Sequence, residues 1–137
     1  NENSNLIYLS VAIEAEISEF DNFDEKKIFL DDLGLKESGG IKLIQSTYEL
    51  LNKQTFFTAG KKEVRAWTIN KDDKAPKAAS VIHSDFEKGF ICAEVINFSD
   101  FKKYGSEVKV KEAGKMKIEG KEYQVNDGDV IHFRFNV

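Results

Sequence analysis

Reactive chemistry needs particular side chains at particular spacings, and this sequence offers few of them. A phosphate-cradling loop of the Walker type requires Gly-Lys followed by Ser or Thr, whose hydroxyl holds magnesium. Here Gly60-Lys61 is followed by Lys62, Gly114-Lys115 by Met116, and Gly120-Lys121 by Glu122. Asn70-Lys71-Asp72-Asp73 matches a guanine-reading pattern, but with no P-loop before it these residues read as a polar turn after a strand. His83-x-Asp85-x-Glu87 could be imagined around a cation. A helix start at Ser84, with Glu87 completing a capping box, explains the same spacing more simply. Cys92 sits in an apolar run and is expected to pack as a small hydrophobe. His132 is expected at a surface, and Asp31-Asp32 and Asp72-Asp73 to face solvent. No Ser/His/Asp or Cys/His set can be assembled, so neither catalysis, a metal nor a cofactor is expected of these residues.

What remains is binding chemistry. Lys61, Lys62, Arg65, Lys88, Lys115, Lys117, Lys121 and Arg134 lie in the same part of the chain as Trp67. Arg65 and Trp67 are two apart on an expected strand and so share a face, where a guanidinium and an indole could meet a phosphate and a base. The alternative is a core tryptophan whose rim is covered by lysine stems. Lys61, Lys62, Arg65, Lys115 and Arg134 are expected to contribute to one cationic patch. The charge balance points the same way. The net charge of -4 hides an acidic front, with residues 1–52 at -7, and a mildly basic back, with residues 53–137 at +3. Such asymmetry suggests an anionic partner for the second part.

The elements that must position these groups change character near Asn52. Before it the periodicity is helical. Ser10 can cap a helix from Val11 whose apolar face is Ile13, Ile17 and Phe20, with Glu14, Glu16 and Glu19 pointing elsewhere. A second helix is expected from Asn22 to Gly34, using Phe29, Leu30 and Leu33. A third follows Gly39-Gly40, with Ile41, Ile44, Tyr48 and Leu51 on one side. After Asn52, Glu63 to Ile69 and Phe90 to Ile96 read as strands. Pro76 opens a short helix through Ile82, and Ser99 to Tyr104 forms another, closed by Gly105. Met116 to Ile118 and Tyr123 to Val125 flank Glu119-Gly120 as an expected hairpin. Asn126 to Asp129 is turn chemistry. From Val130 to Val137 apolar and polar residues alternate as in a half-buried strand. Val108 to Lys111 fits strand or helix. The whole spells an α+β domain with a mixed sheet.

Length and composition set the bounds. At 137 residues and 41% hydrophobic, one domain plus a fragment of another fits. A lone cysteine favours a reducing compartment, and no apolar run suits a bilayer. A cytoplasmic location and no membrane partner are therefore expected. A chain opening on Asn1 rather than Met is expected to be part of something longer. The front helices carry too little apolar surface to stand alone, and their exposed faces could drive dimerisation.

From Leu50 onward the residues resemble the C-terminal TGS domain of the YchF family, the Obg-related ATPases. The matching stretches are LNKQTFFTAG (Leu51 to Gly60), EVRAWTI (Glu63 to Ile69), APKAA (Ala75 to Ala79), IHSDFEKGFI (Ile82 to Ile91), KEAGK (Lys111 to Lys115) and EGKEYQVNDGDVIHF (Glu119 to Phe133). Leu6 to Ile17 is similar to the final strand and helix of that family's nucleotide-binding domain. Ser10-Val11-Ala12 falls at its base-contacting loop, and Asp31 to Gly40 resembles the link between domains. The departures are Ala12 in place of Lys, Cys92 where Arg is frequent, and valines 108 and 110 where alanines are usual.

The resemblance implies a ubiquitin-like β-grasp over residues 53–137, preceded in residues 1–52 by a strand and helices left over from a P-loop domain. It implies a parent that hydrolyses ATP or GTP with Mg2+ and associates with ribosomes, its P-loop lying before Asn1. On this reading the chain is a non-catalytic module contacting RNA or the ribosome, the candidate contacts being Lys61, Lys62, Arg65, Lys88, Lys115, Lys117 and Arg134. The competing expectation is a regulatory docking module that packs on its own P-loop domain.

Overall fold

A computed structural model describes residues 6–60 and 62–136. The backbone divides into two compact units, one ending at Leu51 and one starting at Asn52.

The first unit is helical: α1 Val11–Glu19, α2 Phe23–Asp32 and α3 Gly39–Leu50. Each has the cap its sequence dictates. Ser10 accepts from Ile13 N–H, Asn22 from Glu25 N–H at 2.8 Å, and Ser38 from Ile41 N–H at 3.2 Å. The third helix thus includes both glycines rather than following them. One reason is that a Cβ on Gly39 would lie 2.9 Å from Leu9 Cγ. Phe20 and Phe29 meet at 5.2 Å between ring centroids. The expected faces are only partly covered: Ile17 is buried, whereas Leu33, Ile41, Ile44 and Leu51 are exposed. Among the described residues no strand precedes Val11; residues 6–10 are irregular. A strand needs a neighbour to take its backbone hydrogen bonds, and the described residues of this unit contain none.

The second unit comprises β1 Lys53–Ala59, β2 Val64–Asn70, α4 Ala75–Ile82, α5 Ser84–Lys88, β3 Phe90–Ile96, α6 Phe98–Tyr104, α7 Glu107–Glu112, β4 Lys117–Glu119 and β5 Val130–Phe135. The five strands lie in the order β2-β1-β5-β3-β4. β1 and β2 form an antiparallel hairpin, β1 and β5 pair in parallel, and β3 is antiparallel to both β5 and β4. This mixed sheet with its central parallel pair is the β-grasp arrangement. On one face Phe56, Ile69, Phe90, Val95, Ile131 and Phe133 pack against α4, whose Ala75, Ala78 and Ala79 are small enough to let the helix lie close. On the other, Ile96, Val110 and Val130 form a smaller cluster beneath α6 and α7. The stretch Val108 to Lys111, open between strand and helix, is helical in α7.

Three details differ from expectation. The hairpin around Glu119-Gly120 does not form. β4 pairs with β3 instead, and Tyr123 to Val125 runs beside the chain before α4, with Ala75 N–H donating to Tyr123 O and Val125 N–H to Asp73 O. The ion pair of Lys74 with Glu122 clamps the same junction and lowers the Glu122 pKa through the hydrogen bond and then the charge. The cap of α5 is His83 rather than Ser84, its Nδ1 accepting from Asp85 N–H at 3.2 Å. Finally, Lys53–Ala59 is a strand, with Gln54 buried and its amide donating to Val125 O at 2.6 Å. Val137 and Lys61 lie outside the described residues.

Candidate nucleic-acid interface

Strand register decides which cations share a surface. Thr58 stands opposite Arg65 and Phe56 opposite Trp67, which places Arg65 and Trp67 on the face that packs against α4. The pairing is close: the Arg65 guanidinium lies 4.1 Å from the centre of the indole, while Trp67 Nε1 donates to Thr58 Oγ1 at 2.9 Å. Trp67 is thus a core-edge residue whose rim is covered by an arginine rather than by lysine stems. Its ring is half-buried against the core, and its outer surface carries a cation.

Arg134 stands opposite Cys92, on the other face of the sheet. Its Nη2 donates to Glu94 Oε1 at 2.5 Å, so much of its charge is spent on a buried carboxylate. The patch expected to join Lys61, Lys62, Arg65, Lys115 and Arg134 therefore does not form: two of its members point to opposite sides of one sheet. Lys88 sits on α5, 3.9 Å from Asp85. Lys117 stands opposite Val95 on β4, at the far edge from Arg65. Lys62 lies in the β1–β2 turn, Lys115 follows α7 and Lys121 lies in a turn after β4; all three are exposed. Lys61 falls outside the described residues. In the helical unit, Ser10 caps α1 and Val11 and Ala12 form its exposed first turn.

A second group of lysines lies on the helices rather than on the strands. Lys102 and Lys103 end α6, Lys109 and Lys111 end α7, and Lys115 follows. All five are exposed, and none pairs with a carboxylate of a described residue. Residues 100–117 hold six lysines against Asp100, Glu107 and Glu112, a net of +3. That is the whole excess of the second unit. Cations at helix C-termini also favour the helix dipoles, which accounts for their position without accounting for their number. The signal was present in the charge count over a short window.

A second feature lies beside Trp67. An open groove of about 450 Å³ is lined by the ends of β1 and β2, by Ile82 and Phe86 of α4 and α5, and by Phe133 and Phe135 of β5. Phe86 and Phe135 stack at 3.7 Å. On the opposite face a smaller recess of about 220 Å³ brings Cys92 beside Lys111, Met116 and Arg134. Among the described residues no group of three or more His, Cys, Asp or Glu is placed to hold a metal ion, and no helix is long and apolar enough to cross a membrane.

Comparison with known proteins agrees with this architecture. Residues 53–136 match the YchF-GTPase_C family, described as a protein of unknown function (DUF933). Over 132 residues the chain is 59% identical to the ribosome-binding ATPase YchF of Pasteurella multocida, covering 96% of this chain and 36% of that protein. Over 136 residues it is 54% identical to the ribosome-binding ATPase YchF of Bacillus subtilis, covering 99% and 37%. A solved YchF GTPase from Schizosaccharomyces pombe superposes with a TM-score of 0.79 at 39% identity, over 96% of this chain and 34% of that one. The chain spans about a third of the length of the relatives it matches.

Proposed function

Because this chain belongs to the YchF family, matched through that family's C-terminal region, we propose that it is a non-catalytic module contacting RNA or the ribosome within a nucleotide-binding protein. The observation that carries this reading is the concentration of exposed, carboxylate-free lysines on α6, α7 and the turn after them. A rigid sheet holds two short helices whose last turns project ammonium groups, and such groups neutralise phosphates without reading sequence. Relatives named as ribosome-binding ATPases fit a polyanionic partner. In this reading, hydrolysis of ATP or GTP with Mg2+ is the work of the remaining two-thirds of the protein. Ser10-Val11-Ala12 at the start of α1 contributes at most a base contact there.

The test is co-sedimentation of the chain with purified ribosomes as salt is raised. Five phosphate contacts predict an affinity loss of about 100-fold to 500-fold between about 50 and 200 mM salt. Joint replacement of Lys102, Lys103, Lys109, Lys111 and Lys115 by Gln is expected to remove most of the binding while circular dichroism stays nearly unchanged, since Gln removes the charge without setting an acid against the helix dipoles. Salt-insensitive binding that survives this replacement overturns the reading.

A second reading applies to the helical unit and rests on its uncovered stripe: Ile41, Ile44 and Leu51 on one side of α3 are 47%, 61% and 61% exposed. We propose that this face docks on the protein's own P-loop domain, burying apolar surface with little salt dependence. Self-association of the chain through the same face would be the consequence of leaving it bare.

A further inference from the structure

Two surfaces meet at Lys111. It stands in the last turn of α7, among the lysines of the proposed phosphate contacts. It also walls a recess of about 220 Å³ whose other lining residues are Cys92, Glu94, Met116, Ile118 and Arg134. Strand register accounts for the recess. Cys92 stands opposite Arg134, and Glu94 stands opposite both Ile118 and His132. These side chains therefore alternate onto the sheet face that carries α6 and α7. The helices cover that face at Ile96 and Val130. Farther along the strands Ile118 is 72% exposed and the Arg134 side chain 56%.

The lining mixes two kinds of surface. Met116 and Ile118 are apolar. Arg134 and the buried Glu94 place a donor fork beside an acceptor, joined by Arg134 Nη2 donating to Glu94 Oε1 at 2.5 Å. One bond uses only part of that capacity, since a guanidinium carries several N–H donors and a carboxylate several acceptor sites. A nucleobase is a flat ring whose edge also carries donors and acceptors together. When unpaired in RNA it is held by stacking on side-chain planes, arginine included, and by hydrogen bonds along that edge. The size agrees. Sites for drug-sized ligands run to about 300–1,000 Å³, so this recess suits one ring system rather than a whole cofactor. Lys111 and Arg134 against Glu94 leave the lining positive by one charge, the sign that a phosphate-bearing ligand requires.

We propose that this recess receives an unpaired nucleobase of an RNA whose adjoining phosphates lie on Lys109, Lys111 and Lys115. The base rests against Met116 and Ile118, and its edge meets the Arg134 guanidinium and the Glu94 carboxylate. This deepens the RNA reading above and rests on it. The lysines give affinity that ignores sequence, and the recess adds a preference for RNA with a base out of the stack.

Cys92 is the single cysteine of the sequence and lines the recess. Its alkylation by N-ethylmaleimide, read as one mass increment, therefore reports occupancy without any substitution. The probes are RNA hairpins of equal length: one fully paired, one set with a single bulged nucleotide (A, C, G and U in turn), and one with an abasic residue at the same bulge. At least one bulged nucleotide is expected to bind about tenfold more tightly than the abasic residue, the effect of one stacked base. That hairpin should shield Cys92, and the paired and abasic ones should leave it reactive. Arg134→Lys keeps a positive charge beside Glu94 but loses the planar fork, and should bring the bulged and abasic hairpins within about twofold of each other. Equal affinity of every bulged hairpin and the abasic one overturns the recess and leaves the lysine reading standing. So does Cys92 labelling as fast in the complex as without RNA, or a bulge preference untouched by Arg134→Lys. Binding by none of the hairpins overturns both. Shielding by free nucleoside monophosphates alone would make the recess a small-molecule site and overturn the proposal too.

Discussion

The two units use apolar residues differently. From Asn52 onward, a sheet with helices on both faces buries two clusters, and Phe56, Ala75, Ala78, Ala79, Ala93 and Val110 are wholly inaccessible. Up to Leu51, three well-capped helices bury Ile17 and Ser38 among the described residues, and Tyr8, Phe23, Ile28 and Ile44 are more than half exposed. Both segments have regular secondary structure, so regularity is not what separates them. Capping and periodicity make helices, but helix stability in proteins comes mainly from packing of the apolar face. The second unit supplies its own packing; the first leaves most of its apolar face exposed.

The largest effect should separate the units most sharply. Phe56 is fully buried and meets Phe133 edge to face at 5.7 Å. Phe56→Ala is expected to cost the second unit about 3–5 kcal/mol through lost transfer energy and a residual cavity. Ile44→Ala in the first unit should stay within about 0.5 kcal/mol, as for other exposed positions. Urea unfolding followed by Trp67 emission for the second unit, and by helical ellipticity for the first, measures both. A cost at Ile44 comparable to that at Phe56 would mean that the stripe on α3 is already covered, and the comparison would fail.

The polar interior of the second unit gives the next test. Tyr123 Oη donates to Asp129 Oδ2 at 2.7 Å, and Asn126 N–H donates to the same oxygen at 2.9 Å. Burial, followed by the hydrogen bond to Asp129, pushes the Tyr123 pKa well above its usual value. The folded state thus keeps this proton to higher pH than the unfolded chain does. The associated stability is complete below the ordinary tyrosine pKa of about 10 and is lost as pH rises beyond it. Tyr123→Phe is expected to cost about 1.5–3 kcal/mol at neutral pH, since the partner is a carboxylate that is 3% exposed. The same variant should flatten the alkaline loss. An alkaline profile unchanged by the substitution would show that another group sets it.

Much of the fold was legible because it follows from short-range spacing. Ser10, Asn22 and Pro76 start helices where such residues should, Gly105 closes α6 with a φ of 75°, and β3 spans the expected run from Phe90 to Ile96. What was not legible depends on partners distant in sequence. β1 is hidden in the sequence because a buried Gln54 breaks the apolar alternation, and its amide is satisfied 71 residues away. The expected hairpin failed because β4 had a better partner in β3. The single cationic patch failed for the same reason. Arg65 and Arg134 each alternate with apolar neighbours, but only the assembled sheet decides which face each alternation presents. The lysines of α6 and α7 are visible in composition, but only the folded helices bring their side chains to one end of the sheet.

The smallest effect tests how far the first unit is organised at all. Glu14 was expected to point away from the helical contacts. Its carboxylate instead receives Gly39 N–H at 2.7 Å and Gly40 N–H at 3.2 Å, tying the start of α3 to the first turn of α1. One negative charge thereby faces the positive ends of two helices. Glu14→Gln keeps a single acceptor oxygen and removes the charge, with an expected cost of about 1 kcal/mol. Local opening at α3 should become easier by a similar amount, so the amides of Gly39 and Gly40 should exchange about fivefold to tenfold faster. Amides of the second unit, Ala93 for example, should be unaffected. If the α3 amides were unprotected even with Glu14 in place, the contact would contribute nothing in solution, and the first unit would be three independent helices awaiting a partner. Protection that falls only in the variant would establish a small local structure, held by one carboxylate where the second unit is held by a core.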